Sequence, residues 1–426
     1  MNNQSTAAAG STKSDFGGKG WLMILFSGVM YYFYAGFCSD GLNIIVSSFA
    51  GAHALDPAAR LAVTTPASWA GLLGAVLWAW FVDKWSARTG LLVTALLGGA
   101  TFAAYGLVGT LTGFFVVTAL VNFMGFGFCH TVANALMARW FPLKKGLALG
   151  WATMGQNLAS ATFIPLFLLF LRLASLSGSF YLMGGLLALA GVIGFLVVRD
   201  TPEELGCAPD NGVFTPEELQ ANLRELQAYQ SAWTPARLLR NKQIWLIGMG
   251  FGIYILVTVS LISQMIPRLV SCGWGEAKAT GMMTVAAVFG LFGSYATGWL
   301  DQKLGTRRAS VVYGLWYLVA LVLCALPASE PTLYLSVFFI GVGIGGVGNL
   351  FPSMTATVFG RFDFVRAMGV LNPITAIVRS FAFALLAFGL SKLGGYAGAY
   401  AIIAVLDLIA IFLVSRIDDT CIGKTA

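Results

Sequence analysis

Twelve apolar runs of roughly 20 residues, separated by short charged or Gly/Pro-rich breaks, dominate the chain. At ~1.5 Å per residue each is long enough, as a helix, to cross a hydrocarbon core about 30 Å thick. In the first half they lie at approximately 21–49, 62–82, 90–109, 113–138, 146–171 and 178–198, numbered spans 1 to 6. In the second half they lie at 243–267, 279–300, 309–328, 331–358, 367–390 and 396–415, numbered spans 7 to 12. The polar stretch 199–242 joins the halves and repeats a helix start signal, Thr-Pro-Glu-Glu-Leu, at Thr201 and Thr215. In each copy Thr caps, Pro suits the first turn and the Glu pair faces the positive end of the dipole. A short surface helix is expected over 216–229. The chain thus divides into a cytoplasmic tail 1–20, a six-helix bundle 21–198, a linker 199–242, a second bundle 243–415 and a tail 416–426.

Composition changes the picture little: 58% of residues are hydrophobic and 10% charged, and the mean hydropathy is +0.80. Soluble globular classes are excluded, and a polytopic membrane protein is implied. The net charge of +7 raises nucleic acid as a partner, but its distribution points elsewhere. Nineteen of the 25 Lys and Arg fall on the even-numbered connections and the tails, five fall on the opposite side, and Arg379 lies inside span 11. That bias places both termini in the cytoplasm of a multi-pass protein of the inner (plasma) membrane. No nucleic-acid partner is expected, and a monomer in the lipid bilayer is. The six cysteines, Cys38, Cys129, Cys207, Cys272, Cys324 and Cys421, form no C-x-x-C pair or metal-ligand spacing. No metal, cofactor or nucleophile–base constellation is expected, hence no enzyme.

The residues that carry chemistry are those that break the apolar pattern. Arg379 lies near the middle of span 11, where a guanidinium costs about 2.5–3.5 kcal/mol on insertion scales, so it should face protein or water and have a partner. Asn372, Thr375 and Arg379 stand at i, i+3 and i+7 on one helix face, a cation beside hydrogen-bonding groups, which suggests an anion site. In span 1, Asp40 follows the aromatic run Tyr31 to Tyr34, and in span 4 Asn122, His130 and Asn134 recur at near-helical phase. Asp40 and His130 are the proton-coupling candidates; each also has an ordinary structural reading, the first as a wetted interface residue and the second, the commoner fate of such a residue, as a histidine bonded to a carbonyl. Tyr31, Tyr34 and Trp69 would wall the apolar part of a substrate, and Gln156, Tyr254, Gln264 and Asn349 are neutral hydrogen-bonding candidates. Asp407 in span 12 reads as structural. The glycine-dense run from Gly341 to Gly348 in span 10 reads as close helix packing.

Equivalent punctuation in the two halves reveals an internal repeat. The connection after span 2, Phe81 to Gly90, contains Asp83, Lys84 and Arg88; the one after span 8, Gly298 to Arg308, contains Asp301, Gly305, Arg307 and Arg308. On these residues the chain resembles the major facilitator superfamily, whose G-x-x-x-D-[RK]-x-G-[RK]-[RK] loop recurs at both places, with Ala79 and Ser86 replacing glycines in the first copy. Arg139-Trp140-Phe141-Pro142, then Lys145-Gly146-Leu147-Ala148 and Gly150, with Thr234 to Trp245 before span 7, is similar to the oxalate/formate antiporter and monocarboxylate porter branch.

The resemblance implies an all-α membrane protein whose twelve transmembrane helices form two pseudo-symmetric six-helix bundles around one site, working by alternating access. Asp83, Arg88, Asp301 and Arg307 would be gating latches. It implies a secondary active transporter for an organic anion, coupled to protons or exchanged for a counter-anion. Span 8 has no internal Lys or Arg, and Thr375 stands near the position of the branch's span-11 lysine. A monocarboxylate is therefore expected rather than oxalate. Efflux of a bulky hydrophobic anion is the alternative, and a solute sensor a remote one.

Overall fold

The computed structural model describes residues 13–39, 41–53, 63–64 and 66–423; Asp40 and Arg60 lie outside the described residues. These residues form helices and turns without a strand. Ten helical stretches are long and apolar enough to cross a membrane. One of them, Glu330–Lys392, is interrupted and accounts for both spans 10 and 11, while span 2 is the shorter helix Ala70–Lys84. The twelve apolar runs are thus accounted for.

Three spans depart from the continuous helices that hydropathy implies. Span 1 ends its first helix at Cys38 and starts a second at Leu42. The Phe163 ring of span 5 lies where a side chain on Gly36 or Gly41 would project, and the Gly41 amide turns back to the Ala35 carbonyl at 3.2 Å. Span 10 breaks at Gly345 and Gly346, against Ser294 of span 8 and Tyr313 of span 9. Span 11 breaks at Phe381, between helices ending at Ser380 and starting at Ala382.

The connection between spans 10 and 11 differs from the expected polar loop. Helix runs through it, bent at Gly360, whose φ of 70° and ψ of 178° suit only glycine. Arg361 and Asp363 are buried there. Arg268 also departs from its expected place in an outer connection: the helix of span 7 continues to Ser271 and buries Arg268 to 3% exposure.

In the linker the second start signal yields the helix Pro216–Ala228, with Thr215 and Glu218 closing a reciprocal capping box and no residue buried. The first signal yields only a 3₁₀ turn, Pro202–Leu205. Thr201 makes no capping bond, and Gly206 at φ 66° ends the turn before a helix can propagate.

The chain divides into two compact units, one comprising Asp15–Pro142 and Gly155–Gln230, the other Leu143–Met154 and the chain from Ser231 onward. In the first, span 3 lies along span 6 and span 2 against span 4. In the second, span 9 lies along span 12 and span 8 against span 10, the same pairing displaced by six spans. Small residues make these contacts possible, because without a hydrophobic drive in lipid the helices associate by close packing. Gly99 of span 3 and Gly184 of span 6 each sit on the other's backbone carbonyl.

Gly99→Val must push those backbones apart. Overpacking of this kind costs about 1–3 kcal/mol, so the thermal unfolding midpoint in detergent should drop by several degrees. Gly185→Ala, whose side chain would meet open space, is the control and should leave the midpoint in place. Equal behaviour of the two variants would contradict this packing.

Candidate functional site

In the first unit the polar residues of spans 1 and 4 meet. The Tyr31 hydroxyl, buried to 1% exposure, donates to the Asn134 amide oxygen, and the Asn134 nitrogen donates to the His130 carbonyl at 3.0 Å. The Tyr34 ring stands edge-on to the half-buried His130 imidazole with centroids 4.5 Å apart, and Phe126 lies 4.9 Å from it.

His130 stands on a π-helical segment, Phe126–Ala133, inside span 4. Such widened turns recur at functional sites. A local cause is visible: the Trp78 indole of span 2 donates to the Phe123 carbonyl at 3.0 Å, taking an acceptor of the helical ladder just upstream. The changed winding removes Asn122 from the phase expected of an α-helix. Its amide nitrogen donates to the Thr118 carbonyl one turn back, at 2.9 Å.

The remaining aromatic residues of span 1 are mostly interior. Phe37 stacks on Phe102 at 3.5 Å and meets Phe163 at 5.9 Å, and Phe33 packs on Phe37. Trp69 is 58% exposed at the start of span 2, and Gln156 is half-buried in span 5.

In the second unit Arg379 occupies the last turn of the helix that ends at Ser380. Its guanidinium is half-buried, and among the described residues it makes no hydrogen bond or ion pair. The C-terminal carbonyls of a helix favour a cation there. Asn372, two turns earlier, is buried to 5% exposure with its amide nitrogen unpartnered. Thr375 is also buried, but its hydroxyl donates to the Asn372 carbonyl at 2.9 Å. Gly252 and Gly248 of span 7 receive Thr375, Val378 and Ile374, which fixes the rotation of this half-helix.

Other expected polar residues spend their bonding capacity on packing. The Tyr254 hydroxyl donates to the Ser310 carbonyl at 3.0 Å. Asn349 donates to the Ser294 carbonyl at 2.7 Å and accepts from Thr153. Gln264 accepts from the Tyr396 hydroxyl at 3.3 Å.

Of the expected latch residues, Asp83 is exposed, and Arg88 donates through Nε to the Phe195 carbonyl at 2.6 Å. Asp301 is buried beside Gly146, with Oδ2 unpartnered. Arg307 reaches the Ile417 carbonyl at 3.2 Å and Asp419 at 3.5 Å.

Sequence reasoning passed over Asp200. It accepts from the amides of Ala87 and Arg88 at the start of span 3, at 2.9 and 2.8 Å, and pairs with Arg139 at 2.6 Å. The signal available was an acid directly after Arg199 where span 6 ends. Nearby, Glu204 has its carboxyl raised above the ordinary range by burial and by the Asp200 charge. Arg268 was also overlooked as an interior cation; it donates to the Ser336 hydroxyl at 3.0 Å and the Leu323 carbonyl at 3.4 Å.

Known proteins share this arrangement of helices. The chain is 23% identical over 400 residues to the oxalate:formate antiporter of Oxalobacter formigenes, covering 92% of this chain and 88% of that protein. It is 22% identical over 319 residues to monocarboxylate transporter 12 of Rattus norvegicus, 69% of this chain and 64% of that one. Among solved structures, the Escherichia coli fucose:proton symporter superposes with a TM-score of 0.67 at 14% identity, covering 93% of this chain and 98% of that one. The Major Facilitator Superfamily profile matches residues 24–383, and with its multiple membrane-spanning helices this chain belongs to that superfamily of membrane transporters.

Proposed function

We propose that the protein is a secondary active transporter of small organic anions, monocarboxylates first among them, working by alternating access. The observation that carries this reading is the unpartnered guanidinium of Arg379 within a membrane span. A cation inside a membrane span without a counter-charge is costly, and a carboxylate guest offsets that cost. Asn372 is a further open donor on this helix face, and its seven-residue offset puts it ~10 Å along the axis from Arg379. That is farther than one carboxylate reaches. Asn372 would therefore meet a second, uncharged polar group of the substrate, and Thr375 would hold the helix in register.

Two relatives, an oxalate:formate antiporter and a monocarboxylate transporter, fit the same substrate class by name. Residence in the inner (plasma) membrane with cytoplasmic termini rests on the distribution of Lys and Arg, which remains one-sided with Arg268 removed from the outer count. Binding neutralises Arg379 and so favours closure over the occupied site. His130, with Asn134 and Tyr31 behind it, is the described residue suited to carry a coupled proton; exchange for a counter-anion is the alternative mode of return.

Two outcomes are expected in proteoliposomes. Arg379→Gln should abolish counterflow of a monocarboxylate. Two charge-assisted hydrogen bonds at about 1.5–3 kcal/mol each amount to at least a hundredfold in affinity, and saturable uptake at wild-type affinity would defeat the assignment. In competition for the same counterflow, monocarboxylates should outcompete dicarboxylates of equal length by at least about tenfold, because the second carboxylate is desolvated without a cation to meet it. A preference for dicarboxylates would point to a second cationic subsite.

A further inference from the structure

Span 12 buries an acid that the transport scheme above does not use. Asp407 stands near the middle of the helix Tyr396–Ser415 at 0% exposure, and neither carboxylate oxygen has a hydrogen-bond partner among the described residues. The titratable groups that face it come from two neighbouring spans, Tyr254 of span 7 and Tyr313 and Tyr317 of span 9. The third element packed on span 12, Ala382–Lys392, offers Lys392 alone, exposed at its far end. No cation among the described residues reaches the acid, and Arg268 on span 7 is engaged with Ser336 and Leu323. Around it the helices interlock: Gly314 of span 9 admits the Tyr254 hydroxyl and the Ile411 side chain of span 12.

We propose that Asp407 is a proton-binding site, lateral to the carboxylate site, and that its occupancy makes transport pH-dependent. A bare carboxylate enclosed without hydrogen bonds is untenable, so with spans 7, 9 and 12 packed as they are the group binds a proton. A metal cation fits poorly: the Tyr254 and Tyr313 hydroxyls are committed to the Ser310 carbonyl and to Thr258, and the uncommitted Tyr317 hydroxyl with the two carboxylate oxygens makes three ligands, too few for a shell of about six. Releasing the proton requires water at Asp407 and hence a parting of these three helices. Span 7 carries that movement toward Arg379, because through Gly248 and Gly252 it also packs against the half-helix that bears it. Protonation then favours the packed arrangement, and by linkage the packed arrangement holds the proton.

The test reads the proton first and transport second. In infrared spectra of the purified full-length protein at neutral pH, the wild type should show the carbonyl stretch of an un-ionised carboxylic acid. The band should fade as pH is raised, be lost in Asp407→Asn, and shift in Tyr317→Phe, which removes a phenol near the acid while keeping the acid itself. Thermal stability of the wild type should fall with rising pH, since the folded state holds a proton that the unfolded chain has lost; Asp407→Asn should not show this loss. Counterflow of acetate in proteoliposomes, measured across the same pH range, should have a flatter profile in Asp407→Asn than in the wild type. A band absent from the wild type, or persisting in Asp407→Asn, overturns the proton site, as does stabilisation of the wild type by sodium that Asp407→Asn abolishes. An Asp407→Asn protein with the wild-type pH profile overturns the link to transport. Because the infrared band does not depend on what is carried, failure of the carboxylate assignment leaves it readable.

Discussion

A charge in a low-dielectric interior has to be answered by another charge, by dipoles or by a proton, and Arg268, Asp407 and Arg379 stand differently in this respect. Arg268 is answered by a hydroxyl and a carbonyl, which close around it and remove it from solvent. Neither carboxylate oxygen of Asp407 is hydrogen-bonded among the described residues, as suits the neutral acid. Arg379 is left open at a broken helix end, where only the carbonyl dipoles of its own last turn favour it. The functional account rests on that difference: among these groups Arg379 alone retains a need that a solute can fill.

Backbone irregularity and function coincide in both units. In lipid every peptide group must be satisfied internally, so a helix is broken only where neighbours or water take over the freed groups. Span 11 is broken beside Arg379, and span 4 is rewound over the stretch that carries His130. In span 4 the Trp78 indole of span 2 takes up the Phe123 carbonyl, while ahead of its break span 11 packs closely onto Gly248 and Gly252 of span 7. The regular pairs, span 3 on span 6 and span 9 on span 12, act as the frame against which these irregular helices are held.

The twelve spans were legible in the sequence because hydropathy reports burial in lipid directly, and the capped linker helix because Thr215 and Glu218 act within one turn. The break in span 1 was not, since it depends on a tertiary neighbour, Phe163, which no local pattern discloses. Helical phase brought Arg379, Thr375 and Asn372 to one face, but it could not tell that the Thr375 hydroxyl turns back to its own backbone. Likewise Asn349 and Tyr254 looked like open donors, and their commitment to Ser294 and Ser310 appears only when the helices are packed. The i, i+8, i+12 spacing in span 4 presumed uniform winding, and the π-helical turns undo that presumption for Asn122.

The central claim is that recognition runs through a negative charge placed on Arg379. Calorimetric titration of the purified protein with a short monocarboxylate and with its uncharged amide of the same shape tests this most directly. The account predicts saturable binding of the acid and none of the amide at the same concentrations, with both silent in Arg379→Gln. Equal binding of acid and amide, or undiminished binding of the acid to Arg379→Gln, would contradict it.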